Sequence, residues 1–197
     1  LGNDAGADRG TLNLSAQAFI TVPEGATATI GSVVMGAATS ITKAGRGKLI
    51  LAGDNQFVGA MNVNEGVLNI RHSNALGVSA NNAAASGTTV RQRATLELEK
   101  PSGGSDVTVL LEALSLTGVG FGTMLANGNH ARFADTLGVL RNVSGNNSWA
   151  GTVTFDTGAP NAVFLPELRG GWGMGWVNKA VPFVYVAADK LTVTGDF

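Results

Sequence analysis

The chain has 197 residues with a formal net charge of −1; 44% of its residues are hydrophobic and only 14% are charged. This composition excludes an intrinsically disordered chain, because disordered segments combine low hydrophobicity with high net charge. It also argues against a nucleic-acid binder, because the 13 basic residues are scattered singly and form no basic stripe. The 28 glycines are about twice the average usage, which favours an all-β protein with many tight turns.

The sequence contains no cysteine, so the backbone ladder and internal stacking must stabilise the fold without disulfides. The longest apolar stretch, residues 181–188, is interrupted by Pro182 and is shorter than the roughly 20 residues that a spanning helix needs. The sequence therefore predicts no membrane span in this segment. It shows no signal peptide, and we expect a single segment, 1–197, of a larger exported protein.

The first 22 residues predict a polar start followed by a strand. Asn3, Asp4 and Asp8 are close together, but the spacing of an acidic calcium loop is missing, so a solvated turn or linker is the preferred interpretation. Residues 11–22 alternate between apolar and polar positions, which is typical of a strand with one buried face. The predicted inward residues are Leu12, Leu14, Ala18, Ile20 and Val22.

Residues 43–77 form the clearest unit of the sequence. Short apolar runs flank a stretch in which every second residue is glycine, asparagine or apolar, and no helical period fits. We expect Phe57, Met61 and Val63 to share a buried face. The residues expected to face water are Asp54, Gln56, Asn62 and Asn64.

Residues 138–155 repeat this pattern at a constant offset and define a second repeat-like unit. The matching pairs are Gly53 and Gly145, Asn55 and Asn147, Phe57 and Trp149, Gly59 and Gly151, Met61 and Val153, and Val63 and Phe155. Weaker echoes recur at spacings of roughly 16 to 28 residues, which is typical of a solenoid. Asn55 and Asn147 are predicted either to occupy turns or to stack inside the solenoid.

The stretch GRGKLILAGDNQFVGAMNVNEGVLNIRHSNALG, residues 45–77, resembles the autotransporter-associated β-strand repeat family. LRNVSGNNSWAGTVTF, residues 140–155, looks like a divergent second form of the same repeat. The resemblance implies a right-handed parallel β-helix, or β-solenoid, in large secreted proteins of the bacterial outer cell surface. It implies no catalytic residues and no cofactors.

The middle of the chain predicts further strands and one bulge. In residues 88–99 we expect Val90, Ala94, Leu96 and Leu98 to face inward. The opposite, wet face would carry Arg91, Arg93, Glu97 and Glu99, where positions on adjacent rungs can pair. Residues 127–138 are irregular and predict a bulge from the solenoid, which makes them a candidate interaction surface.

Two tryptophans, Trp172 and Trp176, lie four residues apart among glycines near the end of the chain. An exposed pair could stack on sugar rings, because aromatic faces supply a large contact area. The alternative is that both rings fill a corner of the last coils. These two residues are the candidate ligand-binding site.

The sequence offers little catalytic chemistry. His72 and His130 are single histidines without a second metal ligand nearby, so no metal site is predicted. A polysaccharide-degrading β-helix enzyme would need two acids at close range. The candidate acids are Asp106, Glu112, Asp135 and Asp156, with Arg91, Arg93, Arg132 or Arg141 as basic partners. No pair aligns on adjacent rungs, so we expect no enzymatic activity.

The leading hypothesis is a non-catalytic structural or adhesive stalk, located extracellularly or on the bacterial outer cell surface. The alternatives are a carbohydrate-binding module and a polysaccharide lyase or hydrolase. Open coil ends expose unpaired strand edges, so the expected partners are a second copy end to end, or flanking coils of the parent chain. Surface glycans are the other partner class.

Overall fold

The computed structural model describes residues 10–36, 40–78, 86–118, 120–122, 125–127, 130–132, 137–155, 184–186 and 190–194. Within these ranges the chain forms β-strands and no α-helix, which confirms the all-β prediction. The proposed calcium loop at Asn3, Asp4 and Asp8 lies outside the described residues.

The strands are short, as expected for segments that are interrupted by glycine and asparagine turns. The first strands are Leu12–Asn13 (β1), Ala18–Thr21 (β2), Thr27–Ile30 (β3), Val34–Gly36 (β4), Ile41–Ala44 (β5), Lys48–Leu51 (β6), Gln56–Phe57 (β7), Met61–Val63 (β8) and Gly66–Ile70 (β9). Those that follow are Thr88–Val90 (β10), Ala94–Glu99 (β11), Thr108–Val109 (β12), Leu114–Leu116 (β13), Leu125–Asn127 (β14), His130–Arg132 (β15), Leu140–Ser144 (β16), Asn146–Trp149 (β17), Val153–Phe155 (β18), Val184–Val186 (β19) and Lys190–Val193 (β20).

Four parallel sheets contain most of these strands. Sheet 1 has the order β18-β13-β10-β8-β5-β2, and sheet 2 has the order β19-β16-β11-β9-β6-β3. Sheet 3 contains β1-β4-β7, and sheet 4 contains β12-β17-β20. From β1 to β9 the chain visits sheet 3, sheet 1 and sheet 2 three times in that order; later in the chain, sheet 4 takes the place of sheet 3. Apart from β14 and β15, consecutive strands therefore belong to different sheets in a repeated rotation.

Stacked apolar side chains fill the space between the sheets. In sheet 2, Leu49 pairs in register with Leu68, Leu68 with Leu96 and Leu96 with Leu140, and all four are buried. Fully burying one such side chain contributes about 1.5–3 kcal/mol relative to leaving it exposed. The stacked leucines therefore stabilise sheet 2 in addition to the backbone hydrogen bonds between its strands.

Glycines allow close approach at the corners between strands. Gly66 adopts a φ of 74°, and a Cβ at this position would lie 2.5 Å from the carbonyl oxygen of Gly45 and 2.6 Å from that of Gly47. Since no side chain fits between these backbones, the corner between β8 and β9 requires glycine.

Most predicted orientations are confirmed in the repeat unit. Phe57, Met61 and Val63 are buried, while Asp54, Gln56 and Asn64 are exposed and Asn62 is half-buried. In the 88–99 stretch, all four residues expected to face inward are buried: Val90, Ala94, Leu96 and Leu98.

The inward prediction for Leu12 is wrong, because its side chain is 40% exposed. Leu12 lies in β1, which among the described strands pairs with β4 on one side and with no strand on the other. Of the same predicted set, Val22 is buried and Leu14, Ala18 and Ile20 are half-buried. Burial is therefore incomplete in the first strands of the parallel sheets.

An antiparallel hairpin interrupts the parallel arrangement between β13 and β16. Strands β14 and β15 pair with each other in a separate two-stranded sheet. Gly120 and Gly138 form a parallel bridge at the base of this excursion. The hairpin overlaps the start of the bulge that was predicted for residues 127–138.

Candidate functional site

The repeated asparagine forms a buried cross-strand bridge. The Asn55 side chain accepts a hydrogen bond from the backbone N–H of Val34 at 2.9 Å and donates one to the backbone carbonyl of Ala75 at 2.7 Å. Asn55 is completely buried. Asn55 therefore lies in the interior, but its described hydrogen bonds are to backbone groups of the segments on either side of it and not to a stack of asparagines.

Asn147 makes the equivalent bridge in the second unit. Its Oδ1 accepts a hydrogen bond from the backbone N–H of Val107 at 2.7 Å, and its Nδ2 donates to Asn142 at 2.6 Å and to the carbonyl of Ser144 at 2.8 Å. In both units the N–H donor comes just before a residue that is paired in register with the residue after the asparagine. Val34 precedes Met35, which pairs with Gln56, and Val107 precedes Thr108, which pairs with Ser148. The two units therefore share a hydrogen-bonding device as well as a sequence pattern.

The aromatic residue two positions after each asparagine is also buried. Phe57 and Trp149 are both 0% exposed. The Trp149 indole Nε1 donates a hydrogen bond to the carbonyl of Glu112 at 2.9 Å, which satisfies its polar group inside the core. This pair fills equivalent positions, as the sequence predicts.

A buried carboxylate, that of Glu97 on β11, contacts side chains from three other strands of sheet 2: β6, β9 and β16. Its side chain is 0% exposed and lies 2.8 Å from the Lys48 amine and 2.8 Å from the Arg141 guanidinium. Asn69 donates to the same carboxylate at 3.0 Å and to Glu99 at 2.8 Å. The cations neutralise the buried charge, which would otherwise be costly to hold away from water.

The predicted wet position of Glu97 is therefore wrong. A covering segment explains the error: Thr95, two residues earlier on the same face, donates from Oγ1 to the carbonyl of Gly138 at 2.7 Å and accepts from the backbone N–H of Phe121 at 2.8 Å. The base of the excursion thus lies against the outward face of β11. The predicted pairing between adjacent strands does occur, since Glu97 is in register with Arg141.

Lys43 is a second buried charge, on the inward side of sheet 1. It is in register with Ile20 and Val63 and is fully buried. Its amine donates to the backbone carbonyls of Glu65 at 2.8 Å, Ala44 at 3.1 Å and Gly45. Burial lowers the pKa of Lys43 to about 8, opposed by the nearby Glu65 carboxylate, which raises it. The lysine acts as a donor for carbonyls of two corners.

Comparison with family models gives one match, and it includes several of the residues described above. Residues 41–70 match the passenger-associated-transport-repeat family. This match confirms the resemblance that the sequence indicates for this stretch. No curated protein and no solved structure matches the chain.

The passenger-associated-transport-repeat match contains four of the residues whose side chains make the polar contacts described above: Lys43, Lys48, Asn55 and Asn69. Sequence reasoning identified Asn55 but missed Lys43 and Asn69. A signal existed for Lys43, because it alternates with Ile41 on a strand whose inward face is apolar. Asn69 gave no such signal, since the carboxylates to which it donates, those of Glu97 and Glu99, lie on β11.

The structure distributes the described catalytic candidates among separate contacts. Asp106 lies 3.2 Å from the Lys100 amine, Glu112 accepts a 2.7 Å hydrogen bond from Thr88, and Arg141 pairs with Glu97. Two further candidates, Arg91 and Arg93, are exposed. Asp135 and Asp156 lie outside the described residues, and nothing is described of the Arg132 side chain.

The candidate sugar-binding pair, Trp172 and Trp176, also lies outside the described residues. In the ranges that the structure describes, no group of three or more metal-ligating side chains is found. No helix in the same ranges is long and apolar enough to cross a membrane.

Replacing Asn55 by alanine is expected to lower the free energy of unfolding by about 2–3 kcal/mol. The substitution leaves a buried N–H of Val34 and a buried carbonyl of Ala75 without the amide, and each unsatisfied group costs about 1–3 kcal/mol. Urea unfolding monitored by circular dichroism measures the loss. Asn13→Ala, at an exposed position in β1, is the matched control, and equal losses in the two variants would contradict the bridging role.

The lowered pKa of Lys43 predicts a pH dependence of stability. Between about pH 8 and 10.5, the usual pKa of a lysine, the unfolded lysine binds more protons than the folded one, so the free energy of unfolding rises with pH. We expect wild type to gain about 1.5 kcal/mol relative to Lys43→Met between pH 8 and pH 9.5. Urea titrations at several pH values measure this difference, and a flat difference curve would refute it.

Proposed function

We propose that this chain is a non-catalytic segment of a secreted, autotransporter-like protein, in which it forms a rigid stalk. The observation that carries the proposal is the family match at residues 41–70 within a chain that passes through parallel sheets in a fixed rotation. The chain would wind as a β-helix, and right-handed winding is the hand that parallel crossover connections almost always take.

A β-helix of this kind suits a spacer because every coil along its length is held by its neighbours, which makes the whole structure rigid. Each coil pairs its backbone with the coils on either side, and its apolar side chains stack on theirs. Sheet 1 contains six parallel strands, which at about 4.8 Å per strand gives an axial length on the order of 25 Å. Buried bridges such as those of Asn55 and Glu97 would hinder sliding of one coil against another.

The contacts of the described acids favour a structural role over catalysis. Asp106 is next to a lysine and Glu112 is hydrogen-bonded within the fold, whereas a hydrolase would hold two carboxyl groups facing one substrate. Edge strands such as β2 and β3 provide backbone groups for pairing with flanking coils of the parent chain or with a second copy. The proposed location is extracellular or on the outer cell surface of a bacterium.

Immunolabelling of intact source cells tests the proposed location. Antibodies against this chain should label intact cells, and external protease should remove the label; labelling only after permeabilisation would contradict the proposal. A reducing-sugar assay over a panel of polysaccharides tests the absence of catalysis. Turnover that Glu112→Gln or Asp106→Asn abolishes would establish an enzyme instead.

A crystal structure of the chain tests the architecture. We expect one helical path with parallel strands throughout sheets 1 to 4. A two-layer antiparallel sandwich would remove the basis for the stalk, whatever the cellular location proves to be.

A further inference from the structure

The outward face of sheet 1 carries a straight row of side chains. The central residues of its strands are in register from one strand to the next. In order along the sheet they are Phe19, Thr42, Asn62, Thr89, Ser115 and Thr154. Neighbouring members are separated by the strand spacing of about 4.8 Å. We name this set the outward row.

Polar groups of the outward row are available to a ligand. The side chains of Asn62, Thr89 and Ser115 are half-buried and that of Thr154 is exposed. Within the part of the chain that the structure describes, none of these four side chains makes a hydrogen bond. Thr42 is buried and presents almost no surface to a ligand, so the accessible polar groups of the row extend from Asn62 to Thr154.

Sheet 2 provides a contrast on its own outward face. There Thr95 is hydrogen-bonded to the base of the excursion, and Glu97 is enclosed by Lys48 and Arg141. That face uses its polar groups for internal contacts. The outward row, in contrast, presents hydroxyl and amide groups, which both donate and accept hydrogen bonds, without internal partners.

The chemistry of the outward row selects among polymer ligands. None of its six members is charged, so it lacks the cations that hold nucleic acid or an anionic polysaccharide. Phe19, 68% exposed at one end, offers an aromatic face for an apolar ring surface. A neutral polymer with many hydroxyl groups and a ring repeat close to the strand spacing matches all of these features.

We propose that the outward row binds a neutral linear polysaccharide whose chain runs along the row, across the strands. Asn62, Thr89 and Ser115 hydrogen-bond successive sugar units, and one pyranose ring lies against Phe19. This site is separate from Trp172 and Trp176, and it does not depend on the cellular location proposed above.

Affinity electrophoresis and calorimetry of the whole chain test the site. The probes are glucomannan, hydroxyethyl cellulose and cellohexaose as neutral linear glycans, with polygalacturonate as the anionic comparison. We expect binding to a neutral probe, with a Kd raised about tenfold or more in the triple variant Asn62→Ala, Thr89→Val, Ser115→Ala, because three hydrogen bonds are lost. The matched control, Thr27→Val with Thr29→Val, changes exposed hydroxyls on β3 of sheet 2 and should leave the Kd unchanged.

Three results would overturn the proposal: no binding to any neutral probe, binding only to polygalacturonate, or an unchanged Kd in the triple variant. Thermal unfolding verifies that each variant is folded. If the triple variant does not fold, the nearly isosteric Thr89→Val and the exposed Phe19→Ala replace it, each with an expected rise of about threefold or more in Kd. Unchanged affinity in both would also overturn it.

Discussion

Replacing Phe57 by alanine is expected to lower the free energy of unfolding by about 3–5 kcal/mol. The ring is completely buried, and removing a buried phenylalanine side chain loses its transfer free energy and leaves a cavity. Gly77 is tightly apposed, since a Cβ there would lie 2.4 Å from the Phe57 carbonyl oxygen and 3.1 Å from two ring carbons. Urea unfolding followed by circular dichroism measures the change.

Phe19→Ala is the matched control for this prediction. Phe19 lies in β2 with 68% of its surface exposed, so its removal should change the free energy of unfolding by less than about 0.5 kcal/mol. A loss below about 1 kcal/mol for Phe57→Ala would show that the ring lies outside the core, which would invalidate the orientation assigned to the whole repeat unit.

Replacing Glu97 by alanine is expected to cost about 3 kcal/mol. The change removes the only carboxylate described next to both Lys48 and Arg141, and breaking one member of a buried ion pair costs about 3–5 kcal/mol. We place the loss at the lower end because the side chains of Lys48 and Arg141 are 34% and 24% exposed and can regain some hydration. Urea unfolding at neutral pH measures the change.

Glu24→Ala provides the comparison for a solvent-exposed ion pair. Glu24 lies 3.5 Å from Arg46 with 65% of its side chain exposed, and such pairs contribute about 0–1 kcal/mol. High salt should weaken the small Glu24 effect and leave most of the Glu97 effect. Equal losses in the two variants would mean that Glu97 is open to solvent and does not join the strands.

The alternation of residues predicted the local orientations well where a strand has neighbours on both sides. Met61 and Val63 belong to β8, which lies between β5 and β10 in sheet 1. Phe57 lies in β7 at the end of sheet 3, but the backbone N–H of Val78 donates a hydrogen bond to its carbonyl, so a further segment covers it. A period of two therefore determines which of these side chains are buried. Leu12 has the same pattern but lies at a sheet edge. The alternation around Leu12 correctly indicates a strand, but the exposure of its side chain depends on which other strands cover it.

The repeat relation predicted more than orientation. Asn55 and Asn147 correspond in sequence, and the structure gives each a buried hydrogen bond from the N–H of a preceding segment. The sequence left open whether these amides occupy turns or the interior. The neighbouring backbone determines the interior position, because an amide side chain can hydrogen-bond both an N–H and a carbonyl that have no partner in the sheet.

The burial of Glu97 could not be predicted from its own strand. In residues 94–99 the glutamates occupy the polar positions of a regular alternation, which normally face water. Their environment is set by Lys48, Arg141 and the segment that contacts Thr95, all distant along the sequence. Burial of a charged residue through long-range contacts leaves no local periodic signal.

The bridge between Gly120 and Gly138 brings both ends of the excursion to neighbouring positions. Lengthening a flexible loop between fixed ends adds only about 0.6 kcal/mol for each doubling of its length. Foreign peptides inserted between β14 and β15 should therefore be tolerated while the parallel sheets keep their register. The chain would then serve as a display scaffold, on which epitopes of different lengths project from one defined point.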